Sequence, residues 1–303
     1  MLYKEETFLD EQKYKNLKLG ERGAIISIIA YIFLSVLKIT IGNITNSEAL
    51  KADGLNNTSD IIASVAVLVG LKLSQRPPDK NHKYGHWKSE TIASLLASFI
   101  MMAVGIQVLI SAAITFFQGG NESPDILAGY VGIFSFVVMY VVYRYNKKLS
   151  EKINSQAIMA AAKDNISDAW VSIGAAIGIF GSQLGMPWLD PLTALVVGYL
   201  ICKTAWDIFS QASHDLSDGF DEIEMIVYKN TIQAVPGVQK VKEVKARKYG
   251  NNAVVDVVIL VESSLRIDEA HSISTSVEKV LVDKHDVYDV HVHVEPNSNS
   301  EQD

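Results

Sequence analysis

The sequence predicts a polytopic α-helical membrane protein with six transmembrane helices and a cytoplasmic α+β domain at its carboxyl end. Three observations carry that expectation. About six apolar stretches reach the ~20 residues that cross ~30 Å of hydrocarbon. The chain is 49% hydrophobic yet 20% charged, a mixture that suits membrane spans with a soluble appendage. After about residue 212 the pattern changes from apolar runs to alternating short elements.

The net charge of -7 and a pI near 5.5 leave no broad basic stripe to neutralise phosphates, which argues against a nucleic-acid partner. The single cysteine, Cys202, excludes an intramolecular disulfide and any paired-cysteine zinc module, and its apolar run reads as inert packing. Residues 1–22 are polar and charged, so no cleavable signal peptide is visible and the first span must drive insertion.

The spans are placed near 23–43, 48–74, 90–117, 126–145, 156–182 and 189–210. Orientation follows from the basic residues between them. Segment 75–88 holds Arg76, Lys80, Lys83 and Lys88, and segment 144–152 holds Arg144, Lys147, Lys148 and Lys152, so both face the cytoplasm. The opposite connections, 43–47, 118–125 and 183–187, contain no Lys or Arg. Six spans with both termini cytoplasmic satisfy this asymmetry. The tail reads as a helix over 218–233 opened by Asp218, Asp221 and Glu222, strands over 238–249 and 253–262 joined at Gly250-Asn251-Asn252, a helix over 267–282, and a strand over 287–295. That αββαβ order suggests helices covering one face of a three-stranded sheet.

Two spans carry oxygen-bearing residues where lipid should exclude them: Asn56-Asn57-Thr58-Ser59-Asp60 and Asp164-Asn165-Ile166-Ser167-Asp168. An ionised Asp at a helix centre in a bilayer costs at least ~2.5–3.5 kcal/mol, so such residues face a cavity, pair with a charge or bind an ion. Residues four apart share a helix face, so each pair can offer oxygens to a common point. In the six-span topology the second and fifth helices are antiparallel, which levels Asn56 with Asp168 and Asp60 with Asp164. Three carboxylates and an amide form an all-oxygen donor set that favours hard cations such as Mn²⁺ or Mg²⁺, while Ca²⁺ wants six to eight oxygens. The competing reading is polar glue between helices or helix-end caps, which must explain three acids at matched spacing. Asp53 shares the face of Asn56 one turn away; it lines an exit path, holds a proton, or is a hydrogen-bonded structural group.

With these motifs, six spans and the αββαβ tail, nearly the whole chain resembles the cation diffusion facilitator family of metal-cation/proton antiporters. The resemblance implies a transport site at Asn56, Asp60, Asp164 and Asp168, and a ferredoxin-like, metallochaperone-like tail. Zinc-transporting members usually place a His in this site; its absence and the Asp-x-x-x-Asp pattern of the fifth helix resemble the manganese-exporting branch. The implied domains are a cytoplasmic segment 1–22, a cation efflux domain 23–211 and a dimerisation domain 212–303.

The resemblance also implies a loop metal site at Asp79, His82 and His86, although exposed histidines in a basic loop equally read as solvated side chains. Lys88 and Asp218 match positions where related transporters make a charge interlock; the bland reading is a snorkelling Lys and a capping Asp. In the tail, Lys242 and Val258 stand where zinc members have metal ligands, leaving His271, His293 and Glu295 as candidates, with His291 on the strand face of His293.

The expected function is export of a divalent cation, Mn²⁺ foremost, by proton antiport across the cell membrane, as a homodimer in the lipid bilayer and with no prosthetic group. Zn²⁺, Fe²⁺ or Cd²⁺ export, or a non-transporting metal-sensing scaffold of the same fold, are the alternatives. No HExxH or GxSxG motif supports an intramembrane enzyme.

Overall fold

The computed structural model describes residues 23, 25–74, 76–77, 79–118, 123–153, 156–249 and 252–297. The expectations for segment 1–22 and for Gly250-Asn251 lie outside the described residues. Six long helices come first: α1 (Ile25–Ile44), α2 (Glu48–Ser74), α3 (Ser89–Phe117), α4 (Ile126–Ile153), α5 (Gln156–Gln183) and α6 (Leu189–Leu216). Among the described residues, α1, α3, α4 and α6 are long and apolar enough to cross a membrane. At 27 and 28 residues, α2 and α5 have the length but fall short in composition, because the oxygen-rich motifs lie within them.

Two helices run further than the apolar pattern suggested. α4 continues to Ile153 and carries Arg144, Lys147, Lys148 and Lys152 on the helix rather than in a loop, and α6 continues to Leu216. Lys and Arg are good helix formers whose long stems carry their charge away from an apolar surface, so they need not end a span.

The chain folds as two compact units, Met1–Val65 with Ala97–Asp207, and Ala66–Leu96 with Ile208–Asp303. The first exposes large apolar side chains and buries polar ones beside its apolar core. Ile29, Phe33, Val36, Phe99 and Tyr199 are exposed, while Lys38, Asp53, Asn57, Asn146, Asn165 and Ser172 are buried. That inversion suits a solvent of hydrocarbon, where every polar group must be satisfied internally.

Small residues let these helices approach closely. A Cβ on Gly42 would come within 2.9 Å of the Lys51 backbone nitrogen, and one on Gly54 within 3.0 Å of that of Ile39, so α1 and α2 pack antiparallel. Gly132 lies against Ala176 and Gly129 against Phe180, which makes α4 and α5 antiparallel; Gly105 against Cys202 and Gly198 against Leu109 do the same for α3 and α6. Asp190, buried near the start of α6, accepts from Ser47 Oγ at 2.6 Å and from the Glu48 and Ala49 backbone N–H groups at 2.7 and 3.4 Å. It therefore caps α2 across the fold, placing a negative charge on the positive end of that helix.

The second unit contains α7 (Glu222–Gln233), β1 (Lys240–Tyr249), β2 (Asn252–Val261), α8 (Ile267–His285) and β3 (Asp289–Pro296). The sheet order is β1-β2-β3, with β2 antiparallel to β1 and parallel to β3. Parallel pairing requires a crossover, which α8 supplies. Val255, Val257, Ile259 and Val261 alternate onto one face of β2 and join Ile232, Val277 and Leu281 of the two helices in one core. α7 begins at Glu222, later than the sequence suggested. Asp221 is its N-cap, accepting from the Ile223 and Glu224 N–H groups at 2.8 and 3.0 Å, whereas Asp218 has φ 61° and stands outside the helix.

Asp190→Ala removes the acceptor for Ser47 and the first turn of α2, and is expected to destabilise the helical unit by about 1–3 kcal/mol. Thermal unfolding of the purified protein in detergent checks this; Asp190→Asn, which keeps an acceptor oxygen, is expected to lose less.

Candidate metal centre

Three helices meet around the two oxygen-rich motifs. Asn56 Nδ2 donates to Asp168 Oδ1 at 3.1 Å and to Asp60 Oδ2 at 3.4 Å, so one amide joins the α2 and α5 motifs. Asn56 and Asp168 are the pair that antiparallel packing levels at one depth. Asp168 is buried, Asn56 and Asp60 are half-buried, and Asp164 is exposed one turn earlier on α5. Asp60, Asp164 and Asp168 are not a group of three whose oxygens all lie within 4.8 Å of one another; Asn56 bonds both Asp60 and Asp168.

Two groups on α1 complete this centre, and neither stood out in the sequence as a site residue. Tyr31 donates its hydroxyl to Asp168 Oδ2 at 2.7 Å and accepts from Asn165 Nδ2 at 2.9 Å. Asn165 Oδ1 in turn accepts from Asn146 Nδ2 at 2.8 Å and from Ser27 Oγ at 3.2 Å. Two turns along α1, Lys38 Nζ lies 2.9 Å from Asp53 Oδ2, with neither side chain exposed. The same ammonium donates to Asn57 Oδ1 at 2.7 Å and to Ser172 Oγ at 2.9 Å. Asp53 is thus the partner of a buried cation. A lysine in an apolar span was itself the available signal, since it needs an acid at its own depth.

Contacts along α1 fix the register. Ser27, Tyr31 and Lys38 meet Asn165, Asp168 and Ser172 in rising order, so α1 and α5 run parallel. Ser35 bonds Thr58 at 2.7 Å and the Gly54 carbonyl at 3.2 Å, holding α2 in the opposite direction.

The second unit holds a different donor set. Asp79, His82 and His86 form the group of acids and imidazoles, among the described residues, whose ligand atoms all lie within 4.8 Å of one another. Asp79 Oδ1 accepts from the Asn81 and His82 backbone N–H groups at 2.8 and 2.7 Å, and these bonds hold its carboxyl below the usual carboxylate pKa range. His86 Nε2 lies 3.5 Å from Asp79 Oδ2, and the two imidazole rings are 4.4 Å apart. Two imidazoles and a carboxylate suit borderline ions such as Zn²⁺, unlike the all-oxygen motifs.

Lys88 pairs with Asp218 at 3.0 Å and sits over the Tyr249 ring at 5.0 Å. In the tail, Lys242 Nζ holds Glu295 Oε2 at 2.7 Å, and His293 lies 3.7 Å from Glu295 Oε1. His271, His293 and Glu295 do not form a close group of three within the chain. His291 lies 3.4 Å from Asp289.

Apolar helices wrapped around a buried seam of oxygen donors, followed by a small sheet domain, define a membrane transporter class that handles cations. Residues 24–217 match the cation efflux transmembrane domain, and residues 205–297 match the cation efflux protein cytoplasmic domain. The chain belongs to the cation efflux family, the cation diffusion facilitators, and is a divalent metal cation efflux transporter. It is 53% identical to the manganese efflux system protein MneS of Bacillus subtilis over 94% of this chain and 98% of that one. It is 52% identical to the uncharacterized transporter YdbO of the same organism over 94% and 99%. A third relative there, manganese efflux system protein MneP, is 31% identical over 92% and 97%.

Removing either member of the Lys38–Asp53 pair strands a buried charge or its polar partners. Lys38→Met is expected to destabilise the protein by about 3–5 kcal/mol, and the Lys38→Met/Asp53→Asn double variant to recover most of that loss. Thermal unfolding in detergent measures both; a double variant no more stable than Lys38→Met would show that the two charges are not energetically coupled.

Proposed function

We propose that this protein exports Mn²⁺ from the cytoplasm in exchange for protons, through a site formed by Asn56, Asp60, Asp164 and Asp168. The observation that carries the reading is the bond from the Asn56 amide N–H to Asp168, which joins the α2 and α5 motifs and their carboxylate oxygen donors. Hard divalent ions fit such donors, and two relatives along nearly the whole chain are named for manganese efflux. Zn²⁺, Fe²⁺ and Cd²⁺ are the competing cargoes.

Metal binding requires deprotonated carboxylates, so protons and metal compete for the same oxygens, and that competition couples their fluxes. Alternating access then needs relative movement of helix groups about a fixed site. α2 and α5 join the four apolar helices as spans, giving six, with both termini cytoplasmic in the cell membrane. The domain boundaries are those of the sequence reading, 1–22, 23–211 and 212–303, and the last domain pairs two copies into a homodimer. The cytoplasmic loop triad of Asp79, His82 and His86 binds a further metal in a structural or regulatory role. In the tail, the Lys242 ammonium on Glu295 opposes a metal at His271, His293 and Glu295.

Asp60→Asn and Asp168→Asn are expected to reduce pH-gradient-driven Mn²⁺ uptake into proteoliposomes to background while the proteins stay folded. Side-by-side flux of Mn²⁺, Fe²⁺, Zn²⁺ and Cd²⁺ decides the cargo, and strong Zn²⁺ transport with negligible Mn²⁺ transport would overturn the assignment. His82→Ala/His86→Ala is expected to lower the bound-metal stoichiometry in equilibrium dialysis with Mn²⁺ or Zn²⁺, while the membrane site still transports.

A further inference from the structure

The reading of Asp168 as a transport ligand leaves its second oxygen in the hands of another helix. Tyr31 and Asp168 are 5% and 7% exposed, and the 2.7 Å bond between them lies inside the helical unit. The direction of this bond follows from its neighbours. The Asn165 amide nitrogen has only protons to give, so the Tyr31 oxygen accepts from it and directs its own proton to Asp168 Oδ2. Asn165 is held in that orientation by its carbonyl oxygen, which accepts from both Asn146 and Ser27. The chain Asn146, Asn165, Tyr31, Asp168 therefore runs one way, from α4 through α5 and α1 and back to α5.

We propose that Tyr31 is a positioning residue that sets ion selectivity by confining Asp168 to one metal-facing oxygen. With Oδ2 engaged by the phenol, Oδ1 is the oxygen left for an ion, which takes the place of the Asn56 amide N–H that Oδ1 accepts. A carboxylate limited to one oxygen serves a small octahedral ion well. It serves Ca²⁺ poorly, because that ion takes six to eight oxygens and uses bidentate carboxylates to reach the number. Outer-shell partners of metal-binding carboxylates orient their ligands in this way, and their loss typically changes metal affinity 10–100-fold. Tyr31 is conspicuous in this role because its hydroxyl is held from both sides, leaving it no freedom to turn away from Asp168.

This inference rests on Asp168 being a ligand of the transported ion, and the test separates the two claims. Full-length protein in proteoliposomes is assayed for pH-gradient-driven Mn²⁺ uptake, with Ca²⁺ as competitor, in the wild type, Tyr31→Phe and Asp168→Asn. Tyr31→Phe frees Oδ2 while keeping the ring, so the ratio of the Ca²⁺ inhibition constant to the Mn²⁺ KM is expected to fall about tenfold. A merely structural loosening would move both constants together, and an unchanged ratio in the folded variant overturns the proposal. Should Tyr31→Phe not fold, Asn165→Ala releases the phenol from its donor and is read by the same ratio. Asp168→Asn addresses the underlying site: if it still transports Mn²⁺, the ligand assignment fails, whereas its inactivity beside an unchanged Tyr31→Phe ratio removes the Tyr31 role alone.

Discussion

Lys38 and Asp53 form an ion pair with neither side chain reaching solvent, and the order of α1, α2 and α5 depends on where that pair must sit. Moving two charges out of water costs several kcal/mol per ion even after relaxation, and the attraction repays it only when the remaining hydrogen-bonding capacity is also met. Lys38 meets this condition through Asn57 on α2 and Ser172 on α5, whereas Asp53 Oδ1 is buried without a hydrogen-bond partner among the described residues. One ammonium thereby fixes three helices at one depth. Ser172 is one turn beyond Asp168, and Asn57 adjoins Asn56, so the pair's register is also the register of the oxygen donors. Sliding α1 by a turn would strand Lys38 and withdraw Tyr31 from Asp168 together.

The two clusters of candidate ligands differ in chemistry as well as in place. The helical one offers carboxylate and amide oxygens held by hydrogen bonds from neighbouring helices. Asp79, His82 and His86 offer two imidazoles on a short turn whose carboxylate is fixed by its own backbone. A ligand set supplied by one local turn can form with little rearrangement elsewhere. A set divided between α2 and α5 changes whenever those helices move relative to one another. Under the proposed function, that difference suits the first to a resident ion and the second to one that must be released.

Much of this was legible in the sequence because membrane energetics penalise polar residues so heavily. Asp60 and Asp168 stand out in apolar runs, and their four-residue spacing to Asn56 and Asp164 gives each motif a face. The tail was legible through its alternating valines, which match the face of β2 that packs against α7 and α8. Helix ends were less so: α4 and α6 outlast their apolar runs, since helical backbone bonds do not require apolar side chains. Tyr31 carries no such mark in the sequence. A single tyrosine near the start of an apolar helix has no spacing signature, and its partner lies 137 residues away. Lys38 had a signature, a cation without a visible acid, and Asp53 was an acid without a visible cation; each resolves the other.

Charge explains how a buried lysine is compatible with a cluster of acids inside a cation transporter. Asp53, Asp60, Asp164 and Asp168 are all carboxylates of α2 and α5. Without Lys38, a divalent ion would face four such groups, and attraction of that strength in a medium of low dielectric would favour entry but oppose release. Lys38 lies against Asp53 and takes that acid out of the count, and Asn56, whose amide N–H groups reach Asp60 and Asp168, adds no charge. Three acids then remain, one of them with an oxygen already occupied by Tyr31. Such a centre keeps a net negative charge that attracts a divalent ion without the full pull of four unpaired acids.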